Sequence, residues 1–344
     1  MKAAIYKGQG SVTVTELDTP VPGDHDVLLR NLTAGICGSD VAAYLDGPGA
    51  HKIAPGGEFG HEVISEVAVK GRSVTGIEVG DRVYPYPLLA TGDPSRAGTI
   101  GAFSEYILVP GAQLGRQLYR VSPEIPDAVA AMIEPFTVGT RAARRSRPQP
   151  GESAIVLGAG TIGIAAAIAL KRFGCRQVLV ADLSDFRLGK AAALGFPICN
   201  PRTENLTAKA AAVLGEARSL TGPAADADIF IDATDDNAVI TGYQETTKII
   251  SRMVVVGVHD QPVPVTLSQL AYGQQELIGS GGYMPEDVPF VLDIMASGEY
   301  DLQSIITHHF PLDQIVTALE TASHTDRALH VSVSVSQPSG GLAG

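Results

Sequence analysis

The chain has 344 residues and a net charge of −12, from 25 Lys and Arg against 37 Asp and Glu, which excludes nucleic acid or an anionic membrane as its main partner. An apolar share of 45% with 18% charged residues excludes disorder, collagen and coiled coil, and the length predicts two domains whose cores need no disulfide staples. Three cysteines (Cys37, Cys175 and Cys199) and a start without an apolar leader predict a reducing, cytoplasmic location, and no apolar run reaches the roughly 18 residues of a membrane span.

Up to about residue 110, short runs rich in Val, Leu and Thr predict strands over 2–6, 11–17, 26–32, 62–69, 81–86 and 103–109. Turn signals such as Pro22-Gly23-Asp24, Pro48-Gly49 and Gly80-Asp81 separate them. Strands at this spacing predict a barrel-like or sandwich-like β domain. Past about residue 128 the texture changes to alternating strand and helix. Strands are predicted over 153–157, 177–181, 229–233, 253–258 and 276–279, and helices over 161–173 and 185–194. That alternation predicts an α/β domain with a doubly wound parallel sheet. Two further helices, over 288–296 and 313–321, precede a Gly- and Ser-rich end without chemistry.

Gly158-Ala159-Gly160-Thr161-Ile162-Gly163 follows the strand AIVL directly and opens a helix. In that context Gly158 permits the tight turn, Gly160 lets the backbone approach a pyrophosphate, and Gly163 lets helix pack on strand. The free N–H groups at the helix start, including those of Thr161 and Ile162, then hold the phosphates. Nineteen residues past Gly163, at the end of the next strand, stands Asp182. An acid there accepts hydrogen bonds from a ribose 2′-OH and repels the 2′-phosphate of NADP, which predicts NAD as the cofactor. Arg187, on the following helix, and Gly257, after a later strand, are counted with these cofactor-binding positions.

Cys37 lies in GICGSD, His61 and Glu62 in GHE, and Glu134 in IEP. Thiolate, imidazole and carboxylate are the donors a catalytic Zn²⁺ takes, with a fourth position left for water or substrate. Their separation in sequence leaves plain alternatives: a buried structural thiol for Cys37 and a satisfied histidine for His61.

GICGSD at 35–40, GHE at 60–62, GDRV at 80–83, IEP at 133–135, GAGTIG at 158–163 and ITHHFPLDQI at 306–315 together resemble the zinc-dependent medium-chain dehydrogenases. Within that family the chain is most similar to the polyol branch of sorbitol, butanediol and threonine dehydrogenases. The resemblance implies a GroES-like β domain, 1–144 plus 279–344, with a Rossmann domain, 145–278, inserted into it and the active site in the cleft. It implies that Cys37 and His61 bind zinc, that Glu62 or Glu134 supplies the carboxylate, and that the other stands behind it or exchanges with water. Ser39 matches the family's hydroxyl two positions after the cysteine; it accepts the alcohol proton while a hydride passes to NAD. A homodimer or homotetramer is implied, paired through the strand near 276–279.

The chain departs from the family pattern at three places. Pro85 to Ser104 contains no cysteine, so one catalytic zinc and no structural zinc is expected. Ala42 stands where some members have a relay histidine, and Gly281, Gly282 and Tyr283 follow Ser280 where sorbitol dehydrogenases place an arginine. The expected substrate is therefore a small alcohol or ketone, a secondary alcohol of a polyol, sugar or cyclitol. The alternatives are a dehydrogenase of simple secondary alcohols or diols, a zinc-free quinone-reductase-like enzyme and a non-catalytic member of the fold. Arg141, Arg144, Arg145 and Arg147 are expected on a solvated helix face. Cys175 and Cys199 are expected to pack as small apolar residues, His308 and His309 to be structural, and Tyr44 and His51 to lie near the mouth of the cleft.

Overall fold

Two strands, β1 (Lys2–Gly8) and β2 (Ser11–Glu16), open the chain as an antiparallel hairpin. They are followed by β3 (Val27–Gly35), α1 (Gly38–Asp46), β4 (Glu62–Lys70), β5 (Arg82–Pro85), β6 (Tyr106–Val109), β7 (Leu118–Arg120) and α2 (Asp127–Ala130). The computed structural model describes residues 1–48, 53–259 and 261–336. After α3 (Ile133–Arg145) come β8 (Ser153–Leu157), α4 (Thr161–Arg172), β9 (Gln177–Ala181), α5 (Asp185–Ala193), β10 (Ile198–Cys199) and α6 (Leu206–Leu214). Next are β11 (Glu216–Arg218), β12 (Pro223–Ala225), β13 (Ile229–Asp232), α7 (Asn237–Thr246), β14 (Ser251–Val255), α8 (Leu267–Gly273) and β15 (Gln275–Gly279). Last come α9 (Asp287–Ser297), β16 (Ile306–Pro311), α10 (Ile315–Ala322) and β17 (His330–Ser334).

The chain divides into two units, Met1–Glu134 with Val288–Gly344, and Pro135–Asp287. The seams fall at 134/135 and 287/288, within the first turns of α3 and α9.

In the first unit β16, β17, β3, β4, β5 and β7 lie side by side, with β6 also paired to β3. Leu29, Val63, Val67, Val83, Phe103 and Val333 are fully buried in one core between these strands. The edge-on contact of Phe59 and Phe103, centroids 4.9 Å apart, packs the segment that leads into His61. One helix escapes the all-β expectation. α1 forms because Cys37 caps it: the Cys37 N–H donates to the Asp40 carboxylate at 3.1 Å, closing a capping box.

The second unit is built on a six-stranded parallel sheet in the order β10-β9-β8-β13-β14-β15. All five residues of β8 are buried, the continuous apolar run expected of a strand covered on both faces. The strand predicted over 253–258 is displaced to Ser251–Val255, because Val256 and Gly257 turn out of it to donate to the Asp232 carbonyl at 2.9 and 3.0 Å. α4 buries an unbroken stretch from Gly163 to Leu170, and its alanines let it approach the sheet closely. A Cβ at Gly163 would sit 1.9 Å from the Gly158 carbonyl oxygen, which only glycine avoids. Gly163→Ala is therefore expected to destabilise the chain by about 1–3 kcal/mol, read as a lower melting temperature in thermal denaturation. An unchanged midpoint would refute the close approach.

Candidate active site

Register alone brings the first cluster together. β3 and β4 pair antiparallel with Gly35 opposite Glu62, so Cys37, just past the end of β3, meets His61, just before β4. The Cys37 sulfur, a His61 ring nitrogen and a Glu62 carboxylate oxygen lie within 4.8 Å of one another, the one such His/Cys/Asp/Glu group among the described residues. Ser39, half-buried in the first turn of α1, holds the Cys37 pKa down against the larger effect of burial. Glu134, in the first turn of α3 and only 5% exposed, lies near enough to act on the charge of all three.

The electrostatics are those of too much negative charge in too little water. Burial, with the charges of Asp40 and Glu134, pushes the Cys37 thiol up to about 12. Burial, then Cys37 and Glu134, likewise drives the Glu62 carboxyl well above its ordinary value, with His61 opposing. At His61, burial works against the protonated form, yet Glu134, Asp40 and Glu62 outweigh it and raise the pKa. Glu62 Oε2 is buried without a hydrogen-bond partner among the described residues. Sequence reasoning missed His330, whose Nε2 is likewise buried and unpartnered and whose imidazole burial pushes down to about 4. A Cβ at Gly35 would stand 2.2 Å from Glu62 Oε2 and 3.0 Å from His330 Nε2, so all three share one tight space. A divalent cation fits this donor set on chemistry: it satisfies the orphaned carboxylate oxygen and stabilises the thiolate that burial and its neighbours oppose.

The second cluster lies at the C-terminal ends of the parallel strands. Gly158, at φ +103°, turns the chain from β8 towards α4, whose N-cap is Gly160 and whose first residues are Thr161, Ile162 and Gly163. Asp182, just past β9, accepts from the Ala159 N–H at 2.6 Å and the Ser184 N–H at 2.7 Å, so it also braces the glycine loop. Arg187 reaches back over the loop: a Cβ at Gly160 would lie 3.8 Å from its Nη1. Burial pulls its pKa down while Asp182 opposes. Gly257 follows β14 and faces Thr234, to whose carbonyl a Cβ would come within 1.5 Å.

Two family profiles match the chain, the alcohol dehydrogenase GroES-like domain over residues 23–118 and the zinc-binding dehydrogenase over 161–297. A putative D-xylulose reductase of Agrobacterium fabrum is 30% identical, over 94% of this chain and 95% of its own length. The sorbitol dehydrogenase of Bacillus subtilis is 28% identical over 94% of this chain and 93% of its own. The crystal structure of the B. subtilis 2R,3R-butanediol dehydrogenase superposes with a TM-score of 0.83 at 25% identity, covering 97% of this chain and 99% of that one. The chain belongs to the zinc-binding dehydrogenases. It falls in their medium-chain polyol branch and is an oxidoreductase acting on CH–OH groups with a nicotinamide cofactor.

For this zinc-binding dehydrogenase the remaining singled-out residues are placed as follows. Tyr44 is 7% exposed and donates to Glu320 at 3.4 Å, while His51 lies outside the described residues. Arg141, Arg144 and Arg147 pair with Glu286, Asp287 and Glu276. Arg145 donates to the Gly279 carbonyl at 3.2 Å. His309 is held between Ser332 and Ser334, and His308 contacts Thr307. Cys175 and Cys199 are buried. No helix among the described residues is long and apolar enough to cross a membrane. Gly35→Ala is expected to push Glu62 and His330 aside and to lower the zinc retained after dialysis against a weak chelator. Wild-type retention would count against the crowding.

Proposed function

We propose that the chain is a zinc- and NAD-dependent dehydrogenase that oxidises a secondary alcohol of a polyol, sugar or cyclitol to the ketone. The observation that carries this reading is the gathering of Cys37, His61 and Glu62 within 4.8 Å. These three would hold the metal; the orphaned Glu62 Oε2 favours Glu62 over Glu134 as the carboxylate donor, with Glu134 adding charge behind it. Bound there, zinc supplies Lewis acidity that lowers the pKa of the substrate hydroxyl. Ser39, in the first turn of α1 beside Cys37, would accept the alcohol proton at its hydroxyl oxygen while handing on its own. Ala42 has no group to relay that proton, so it leaves through water. Bound NAD would supply the hydride acceptor. Asp182 selects it over NADP by charge and by pairing with the ribose hydroxyls, and the N–H groups of the Gly160–Gly163 turn hold its phosphates.

The stretch from Pro85 to Ser104 offers no thiolate for a second metal. It is anchored instead by Arg96, which donates to Glu58 at 2.7 Å, with Ser104 on the other oxygen of Glu58 at 2.6 Å. A homodimer or homotetramer is supported by the edge position of β15 among the described strands of the six-stranded sheet and by Leu267 and Tyr272, 74% and 75% exposed on neighbouring α8.

Protein purified without chelator is expected to carry about one zinc per chain. Cys37→Ser should lose both zinc and activity while its circular dichroism stays unchanged. Two zinc ions per chain would overturn the single-site reading, and none would overturn the metal assignment. A kinetic panel of ethanol, 2-butanol, 2,3-butanediol, sorbitol, xylitol, threonine and an inositol, each with NAD and with NADP, tests the substrate class. The expected result is a kcat/KM at least about tenfold higher for a cyclic or sugar-derived polyol with NAD than for ethanol, because pocket groups that pair substrate hydroxyls penalise analogues lacking them. A best rate on ethanol, or equal rates with both cofactors, would refute it.

A further inference from the structure

A buried carboxylate–imidazole contact lies in the dinucleotide-binding unit, between two residues not singled out in the sequence. Asp232, the last residue of β13, is fully buried. Its Oδ1 accepts from the Thr234 N–H at 3.0 Å and the Thr234 hydroxyl at 2.8 Å. Its Oδ2 meets His259 Nε2 at 2.7 Å, and the other nitrogen of that ring meets Asn237 Oδ1 at 2.9 Å. The His259 side chain is only 9% exposed. A buried carboxylate is costly unless fully paired, and here three donors converge on one. The Asp232 carbonyl also accepts from the N–H groups of Val256 and Gly257. Backbone and side chain of one residue thus clip the segment after β14 onto the end of β13, pressing Gly257 against the Thr234 carbonyl.

The position of this clip gives it a role. Strand order runs outward from β8 through β9 to β10 on one side, and from β13 through β14 to β15 on the other. A dinucleotide lies across that reversal, with its pyrophosphate at the start of α4. Asp182, past β9, takes the adenosine ribose. The other half of the molecule therefore extends over the ends of β13 and β14, where Asp232 and His259 stand. We propose that Asp232 and His259 are positioning residues for the nicotinamide half of the cofactor, acting by holding the backbone around Gly257 in place. The inference rests on the NAD reading above and deepens it.

The two halves of the cofactor are tested separately. NADH binding is followed by the nucleotide's own fluorescence in a protein that has no tryptophan, and AMP binding by calorimetry. Losing a hydrogen bond to a buried charge is expected to weaken NADH about tenfold in His259→Ala, with AMP affinity unchanged. His259→Gln, which keeps one donor for Asp232, should recover most of that loss, and Asp182→Ala should weaken both ligands. Unchanged NADH affinity in His259→Ala, or equal weakening of AMP and NADH, overturns the proposal. A wild-type protein that binds AMP but not NADH overturns it together with the NAD reading, whereas the first two results leave that reading standing.

Discussion

Buried negative charge that needs a cation is the constraint on which the first unit depends. Cys37, Glu62, Glu134 and Asp40 all act on one small volume, and each raises the pKa of one or more of the others or of His61. Apolar packing does not stabilise such a set, since like charges in low dielectric repel strongly and each keeps its desolvation cost. Protonation relieves the strain at the expense of the donors, whereas a shared cation relieves it and keeps them. The β framework exists around this point: the pairing of Gly35 with Glu62 fixes two donors, and the capping of α1 fixes the third.

The second unit applies the same physics with opposite sign. Its glycine turn leaves backbone N–H groups pointing outward, a region of positive potential suited to phosphate. Asp182 is part of the loop's own structure there, because one carboxylate restrains both the Ala159 N–H and the Ser184 N–H. Asp232 does comparable work at the far side of the sheet. In both places an acid at a strand end is held by local N–H donors, and the loop geometry follows from it.

Periodicity made much of this fold legible. The parallel sheet announced itself through continuous apolar runs such as Ser153–Leu157, and the glycine turn through its place between strand and helix. Cys37, His61 and Glu62 were legible because the motifs around them are specific, yet the choice between Glu62 and Glu134 depends on where α3 begins in space. Helix α1 was hidden in GICGSDVAAYL, where its start depends on a cysteine cap rather than on a serine or threonine. The end of β14 and the contact of His259 with Asp232 depend on hydrogen bonds between residues far apart in sequence, 27 positions in the latter case, which no local pattern encodes. His330 was illegible for the same reason: only the pairing of β17 with β3 brings it to Gly35.

The Arg96–Glu58 anchor has a consequence for redox chemistry. A lobe held by thiolates around a metal fails when those thiols oxidise, and the fold then fails with it. Here that lobe has no sulfur, and two of the three cysteines, Cys175 and Cys199, are shielded in the core at 3% and 0% exposure. Among the three cysteines only Cys37 is part-exposed, so thiol damage falls there rather than in the core. Such damage falls on the Cys37, His61 and Glu62 cluster and touches neither of the two buried thiols of the second unit.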